Sequence, residues 1–156
     1  MNIAIDLHGT FDTDPIRFLK FIERHPQHKF FIFSGSPVEE TVEQLATITG
    51  VQDYAHLLAT IDIMSVVAFM KSQNFPMILK TSPRTGKQNW YFDGPEEVWW
   101  SMKSVMCAVS NIKLIIDDKL EYAVYFGEDH PTRFIQFRQD AAESILSLAD
   151  NFIRFS

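Results

Sequence analysis

With 156 residues, 46% of them hydrophobic and 22% charged, the chain has the size and make-up of one globular domain with its own core. Fourteen Phe predict that this core is rich in aromatic rings. The formal net charge of −6 argues against a protein that grips extended nucleic acid through its backbone, since that needs clustered Lys and Arg.

Nothing approaches the 18 or so consecutive apolar residues of a membrane span. The start, MNIAIDLHG, has neither the basic residues nor the long apolar run of a signal peptide. A single cysteine, Cys107, leaves no internal disulfide and fits a reducing compartment. A soluble, cytoplasmic protein without a membrane partner is therefore expected.

Asn2–Asp6 (NIAID) is a short Ile-rich run, expected as a buried strand. Asp14 and Pro15 then carry the N-cap and first-position signals of a helix reaching about Arg24. Phe30–Phe33 (FFIF) is a second buried run, followed by Ser34-Gly35-Ser36-Pro37, with Ser36 expected to cap a helix that Gly50 stops. From Ile61 to about Gln73 the apolar spacing predicts a helix. Phe75–Thr81 and Gln88–Phe92 flank the turn-rich Pro83-Arg84-Thr85-Gly86 and predict a hairpin.

Asp93-Gly94-Pro95 opens a long helix to about Ser110, and Ile112–Ile116 (IKLII) is the third strongly apolar strand, ending on Asp117-Asp118. A short helix over Leu120–Phe126, a strand over Arg133–Phe137 and a helix over Asp140–Ile153 follow. Strands alternating with helices imply crossover connections and a mainly parallel sheet covered on both faces. The expected architecture is a single Rossmann-like three-layer α/β domain over residues 1–156, with 51–93 as a small helix-plus-hairpin insertion able to cover the site.

Three apolar strands each end in a small polar signature: Asp6, Ser34-Gly35 and Asp117-Asp118. In an open parallel sheet the ligand crevice lies beyond the carboxyl ends of the strands, so these residues should converge on one rim. Gly9 lets the chain leave the first strand sharply. Three carboxylates gathered there need a counter-ion, and hard oxygen ligands suit Mg²⁺ completed by waters and a phosphate oxygen.

Asp6-Leu7-His8-Gly9-Thr10 after a strand resembles the DxDGT signature of the haloacid dehalogenase superfamily. The later motifs follow in order: a strand ending in Ser34, a lysine, and a strand ending in two acids, Asp117-Asp118. The resemblance spans most of the chain and implies a Mg²⁺-dependent phosphohydrolase. Asp6 would be the nucleophile that forms an aspartyl-phosphate. Asp6, the His8 backbone carbonyl and Asp118 would hold the metal, with Asp117 adjacent, while Gly9, Thr10, Ser34 and Gly35 would contact the phosphoryl group.

Lys103 is the choice for the lysine, with Lys80 and Lys87 as alternatives. A five-residue strand rises about 16 Å, and a helix returning from Lys103 to Val109 covers roughly 10 Å, so a lysine side chain makes up the difference. His8 stands where phosphatases of this superfamily carry a second acid that protonates the leaving group and activates water. Histidine can do both. The expected substrate is a small phosphorylated molecule, with a nucleotide or a nucleic-acid terminal phosphate the best match for so small a cover.

A second reading keeps the fold without turnover and uses Trp90, Tyr91, Trp99 and Trp100 as a binding surface, for a partner or a second copy of the chain. The same aromatic residues otherwise pack the hairpin onto the body. His25, His28, His56 and His130 lack metal-ligand spacing, and Cys107 falls in an apolar helix as a core residue.

Overall fold

The computed structural model describes residues 1–156. β1 (Asn2–Asp6) leads through a single 3₁₀ turn into α1 (Pro15–Glu23). β2 (Lys29–Ser34) is followed by α2 (Val38–Thr47) and the one-turn α3 (Ala55–Leu58), then β3 (Asp62–Ser65) and α4 (Val66–Ser72). A separate antiparallel hairpin, β4 (Met77–Thr81) and β5 (Gln88–Phe92), precedes the longest helix, α5 (Glu96–Val109). β6 (Ile112–Asp117), α6 (Leu120–Ala123), β7 (Arg133–Gln136) and α7 (Ala142–Arg154) follow. No helix is long and apolar enough to cross a membrane.

The five main strands are all parallel, in the order β3-β2-β1-β6-β7. This is the α/β architecture expected, a Rossmann-like three-layer sandwich with a small hairpin beside it. The chain winds outward from β1 to β3 on one side and from β6 to β7 on the other. β1 and β6 therefore flank the point where strand order reverses, which is where such sheets open a crevice.

Strand alternation sets the two faces. Ile3 and Ile5 of β1, with Leu114 and Ile116 of β6, face a core closed by Phe18, Leu19, Phe21 and Ile22 of α1 and Leu146 and Ile153 of α7. Phe18 sits between Phe11 and Phe137, with ring centroids 5.9 and 5.1 Å away, so aromatic rings do fill this core. Ala4, Phe33 and Ile115 face the other way, onto Val66 and Met70 of α4 and Met102, Met106 and Cys107 of α5. β6 carries one extra residue, Lys113, against β1, because Asn2 pairs with Ile112 and Ile3 with Leu114. That bulge puts Ile112 and Ile115 on the same face.

Two local expectations fail. Asp62–Ser65, expected as the start of a helix, is β3, paired along the edge of β2 from Phe31↔Asp62 to Ser34↔Ser65. Four residues satisfy either period, and the free edge of β2 decides between them. Ser36 does not cap α2, whose N-cap is Pro37 without a side-chain bond; the Ser36 N–H donates instead to Ser34 Oγ at 3.0 Å. By contrast, Asp14 does cap α1, accepting from the Arg17 N–H, with Pro15 as its first residue.

Candidate active site

Asp6 ends β1 and Asp117 ends the neighbouring β6. Asp6 lies two residues beyond Ala4, and Asp117 two beyond Ile115, so alternation turns both carboxylates toward the face that α5 covers. Lys103 of α5 meets them there. Its Nζ donates to Asp6 Oδ1 at 2.7 Å and to Asp117 Oδ2 at 2.5 Å. All three side chains are closed off from solvent: 2% of the Lys103 side chain is exposed, 7% of Asp6 and none of Asp117. α5 is continuous from Glu96 to Val109, so Lys103 lies in its middle. Lys80 and Lys87 lie exposed in and beside the hairpin.

Each carboxylate is held differently. Asp117 Oδ1 accepts the Lys119 N–H at 3.0 Å, so both its oxygens are occupied by protein donors. Asp118 is half-buried, and its Oδ1 accepts from Thr10 Oγ1 at 3.1 Å. Gly9 has φ +83° and lies directly against the Asp118 carboxylate. Thr10 is fully buried and spends its hydroxyl on Asp118, which makes it an orienting residue for that acid. His8 is exposed on the loop between β1 and this Gly-Thr pair, and its ring is not among the clustered ligands.

One oxygen from each of Asp6, Asp117 and Asp118 falls within 4.8 Å of the other two. Three carboxylates against one ammonium leave two negative charges in excess when all are ionised. Burial pushes the Asp6 carboxyl up to about 7; Lys103 pulls it back, while Asp117 and Asp118 add to the rise. For Lys103, burial works to lower the pKa, but Asp6 and Asp117 outweigh it and hold the ammonium above its ordinary range. A cation held by the three acids would relieve the excess, and their all-oxygen donor set is of the kind hard divalent cations take.

The second strand end supplies Ser34 and Gly35. Ser34 is fully buried and its hydroxyl accepts the Ser36 N–H, which folds the Ser34–Ser36 turn back on itself. Two contributors were not foreseen from sequence. Ser65, at the end of β3, donates to the Ser36 carbonyl at 2.6 Å and accepts the Ala68 N–H at 3.0 Å, tying this turn to the start of α4. Asp-Ile-Met-Ser repeats the pattern of a short apolar run ending in Ser, and that was the available signal. Tyr122 of α6 places its ring 4.1 Å from Lys103 Nζ, with Phe33 on another side at 5.2 Å.

The aromatic residues form a cleft of about 340 Å³ beside this rim, lined by Gly35, the hairpin residues Trp90, Tyr91 and Phe92, and Trp99 and Trp100 of α5. They are half-buried or exposed; Phe92 and Trp99 pack against the core on the α4 and α5 side, while Tyr91 is open to solvent. Comparison with protein-family models, curated proteins and solved structures returns no match.

Proposed function

We propose that the chain is a Mg²⁺-dependent phosphohydrolase of the haloacid dehalogenase type that works through an aspartyl-phosphate. The observation that carries this reading is the buried bridge from Lys103 Nζ to both Asp6 and Asp117, with Asp118 beside them at the sheet's switch point. A lysine closed in by two acids is an expensive structure to maintain for stability alone, because apolar residues would fill the space at least as well.

Asp6, Asp118 and the His8 carbonyl would hold Mg²⁺, with Asp117 alongside. When bound, Mg²⁺ neutralises the phosphoryl oxygens and leaves the Asp6 carboxylate free to act. An Asp6 oxygen attacks phosphorus and the bond to the leaving oxygen breaks. His8 gives that oxygen a proton. His8 then takes a proton from water, the water attacks the phosphoryl group, and the aspartyl–phosphorus bond breaks to release phosphate and restore Asp6. Lys103 keeps Asp6 and Asp117 oriented and offsets charge on the phosphoryl oxygens. Ser34 and the Gly35 backbone line the phosphoryl position. The buried, unpaired Cys107 agrees with a reducing, cytoplasmic setting.

A panel of phosphate monoesters, assayed for phosphate release with Mg²⁺ and with EDTA, tests this directly. Metal-dependent release that falls by at least about a thousand-fold in Asp6→Asn, with the fold intact, is the expected result. Equal release in Asp6→Asn, or release that survives EDTA, overturns it. Two features favour a second reading: His8 stands in place of an acid, and a separate cleft is walled by five aromatic side chains. On that reading the chain binds through the cleft without turnover, and a folded, Mg²⁺-binding protein silent across the panel selects it.

A further inference from the structure

The cleft beside the rim takes the planar base of a nucleoside monophosphate, we propose, so that the proposed phosphohydrolase acts on mononucleotides. This deepens the functional reading above and depends on it for the reaction, though not for binding of the ring.

Position is the first argument. Gly35 belongs to both places: it follows Ser34 at the carboxyl end of β2, and it forms part of the cleft wall. Phe33 pairs with Asp6 in the sheet, and neighbouring strands lie about 4.8 Å apart. A phosphoryl group at Asp6 and a ring over Gly35 are thus within the span of one small ester. Trp99 closes that approach, since a Cβ placed on Gly35 would stand 3.5 Å from its ring. Glycine leaves this stretch of wall flat, which suits a planar guest.

Chemistry is the second. Five of the eight lining residues are aromatic and only one, Glu96, is charged. Aromatic walls hold a flat aromatic ring by stacking over its whole face. The Glu96 carboxylate in the same wall would accept N–H groups at a base edge, and its charge would disfavour the added charge of a nucleoside triphosphate. Lys71, which reaches one face of Trp90 at 3.9 Å, holds that indole in place from the side of α4.

A third link joins the two places mechanically. Trp100 meets Tyr122 edge-on at 5.0 Å, and Tyr122 lies on Lys103 Nζ. A ring settling against Trp100 therefore presses on the residue that positions the site's lysine.

The chain's three Trp all line the cleft, so intrinsic tryptophan fluorescence reads it without a label. The full chain is titrated with adenosine, AMP, ATP and ribose 5-phosphate. Saturable responses to adenosine and AMP, a weaker response to ATP and none to ribose 5-phosphate are expected. Trp99→Ala should weaken adenosine binding roughly ten-fold or more, while Trp99→Phe, which keeps a stacking face, should bind as wild type does. The wild-type titration decides even where Trp99→Ala fails to fold. No saturable response to adenosine, or an equal response to ribose 5-phosphate, overturns the proposal. Adenosine carries no phosphate, so its failure to bind removes the cleft assignment alone, whereas adenosine binding without phosphate release from AMP in the presence of Mg²⁺ removes the phosphohydrolase alone.

Discussion

Gly9 and Asp118 are in contact across the site: a Cβ built on Gly9 would stand 2.5 Å from Asp118 Oδ2. The clash is with the carboxylate group that, with Asp6, is left to meet a cation. Gly9 also has φ +83°, a conformation other residues adopt at a penalty of about 1–2 kcal/mol. Gly9→Ala should therefore push Asp118 away from Thr10 and lower Mg²⁺ affinity by roughly 10- to 100-fold, as displaced outer partners of a metal ligand do. Calorimetric titration of Mg²⁺ checks this, and unchanged affinity would show that Asp118 is not a ligand.

Lys103 is the only cation bonded to Asp6 and Asp117. Removing one partner from a buried ion pair costs about 3–5 kcal/mol, which for a chain of this size lowers Tm by roughly 6 °C or more. Lys103→Met should show that loss in EDTA. Mg²⁺ should then raise the variant's Tm by more than it raises the wild type's, because the metal takes over as counter-charge. Equal Mg²⁺ shifts in thermal melts of the two proteins would break the link between the lysine and the metal.

Burial pushes the Cys107 thiol up to about 12 from an ordinary 9.0, with nearby Lys103 opposing the rise. Burial likewise raises Tyr122, and Lys103 is itself raised by its acids. All three shifts have one sign. Each group holds its proton more tightly when folded, so its contribution is complete below the unfolded pKa and is lost as pH climbs toward the folded one. Stability should decline from about pH 9 upward, with Cys107 the first of the three to contribute. Urea melts at pH 7.5, 9 and 10.5 test this, and Cys107→Ala should flatten the first part of the decline. The native thiol should also resist alkylation at pH 8; prompt labelling there would contradict its burial.

Ser65 ties two segments through one hydroxyl, the Ser36 carbonyl on one side and the Ala68 N–H on the other. Ser65→Ala should cost about 1–2 kcal/mol, the usual loss for a helix cap, and loosen the Ser34–Ser36 turn. Denaturant melts read the first effect. A raised KM for any phosphate monoester turned over, at little change in kcat, reads the second.

That Ser65 was missed shows where the sequence stops being legible. β1, β2 and β6 announce themselves because strands buried on both faces are nearly unbroken runs of Ile, Leu and Phe. β3 is a four-residue edge whose helical spacing is equally good, and only its pairing with β2 makes it a strand. Asp6, Asp117 and Asp118 could be placed on one rim from strand ends alone. That Asp6 and Asp117 share a face depends on the extra residue Lys113 in β6, which has no signature in the pattern. Tyr122 could not be foreseen over Lys103, because a one-turn helix has too few residues to show a buried side.

His8 is where the proposed site departs from the haloacid dehalogenase pattern it resembles, and its side chain is exposed. If it serves as the general acid and base, His8→Ala should lower kcat by about 10²- to 10⁴-fold while Mg²⁺ affinity, which draws on the backbone carbonyl, stays the same. His8→Asp should recover much of the rate by restoring the acid of DxDGT, with its optimum displaced to lower pH because a carboxyl titrates below an imidazole. Steady-state kinetics from pH 5 to 9 on the three proteins distinguish the outcomes. A rate indifferent to His8→Ala would assign proton transfer to solvent or to the substrate itself, and a His8→Asp variant slower than His8→Ala would mean that a further negative charge beside Asp6 and Asp118 harms the site more than a proton donor helps it.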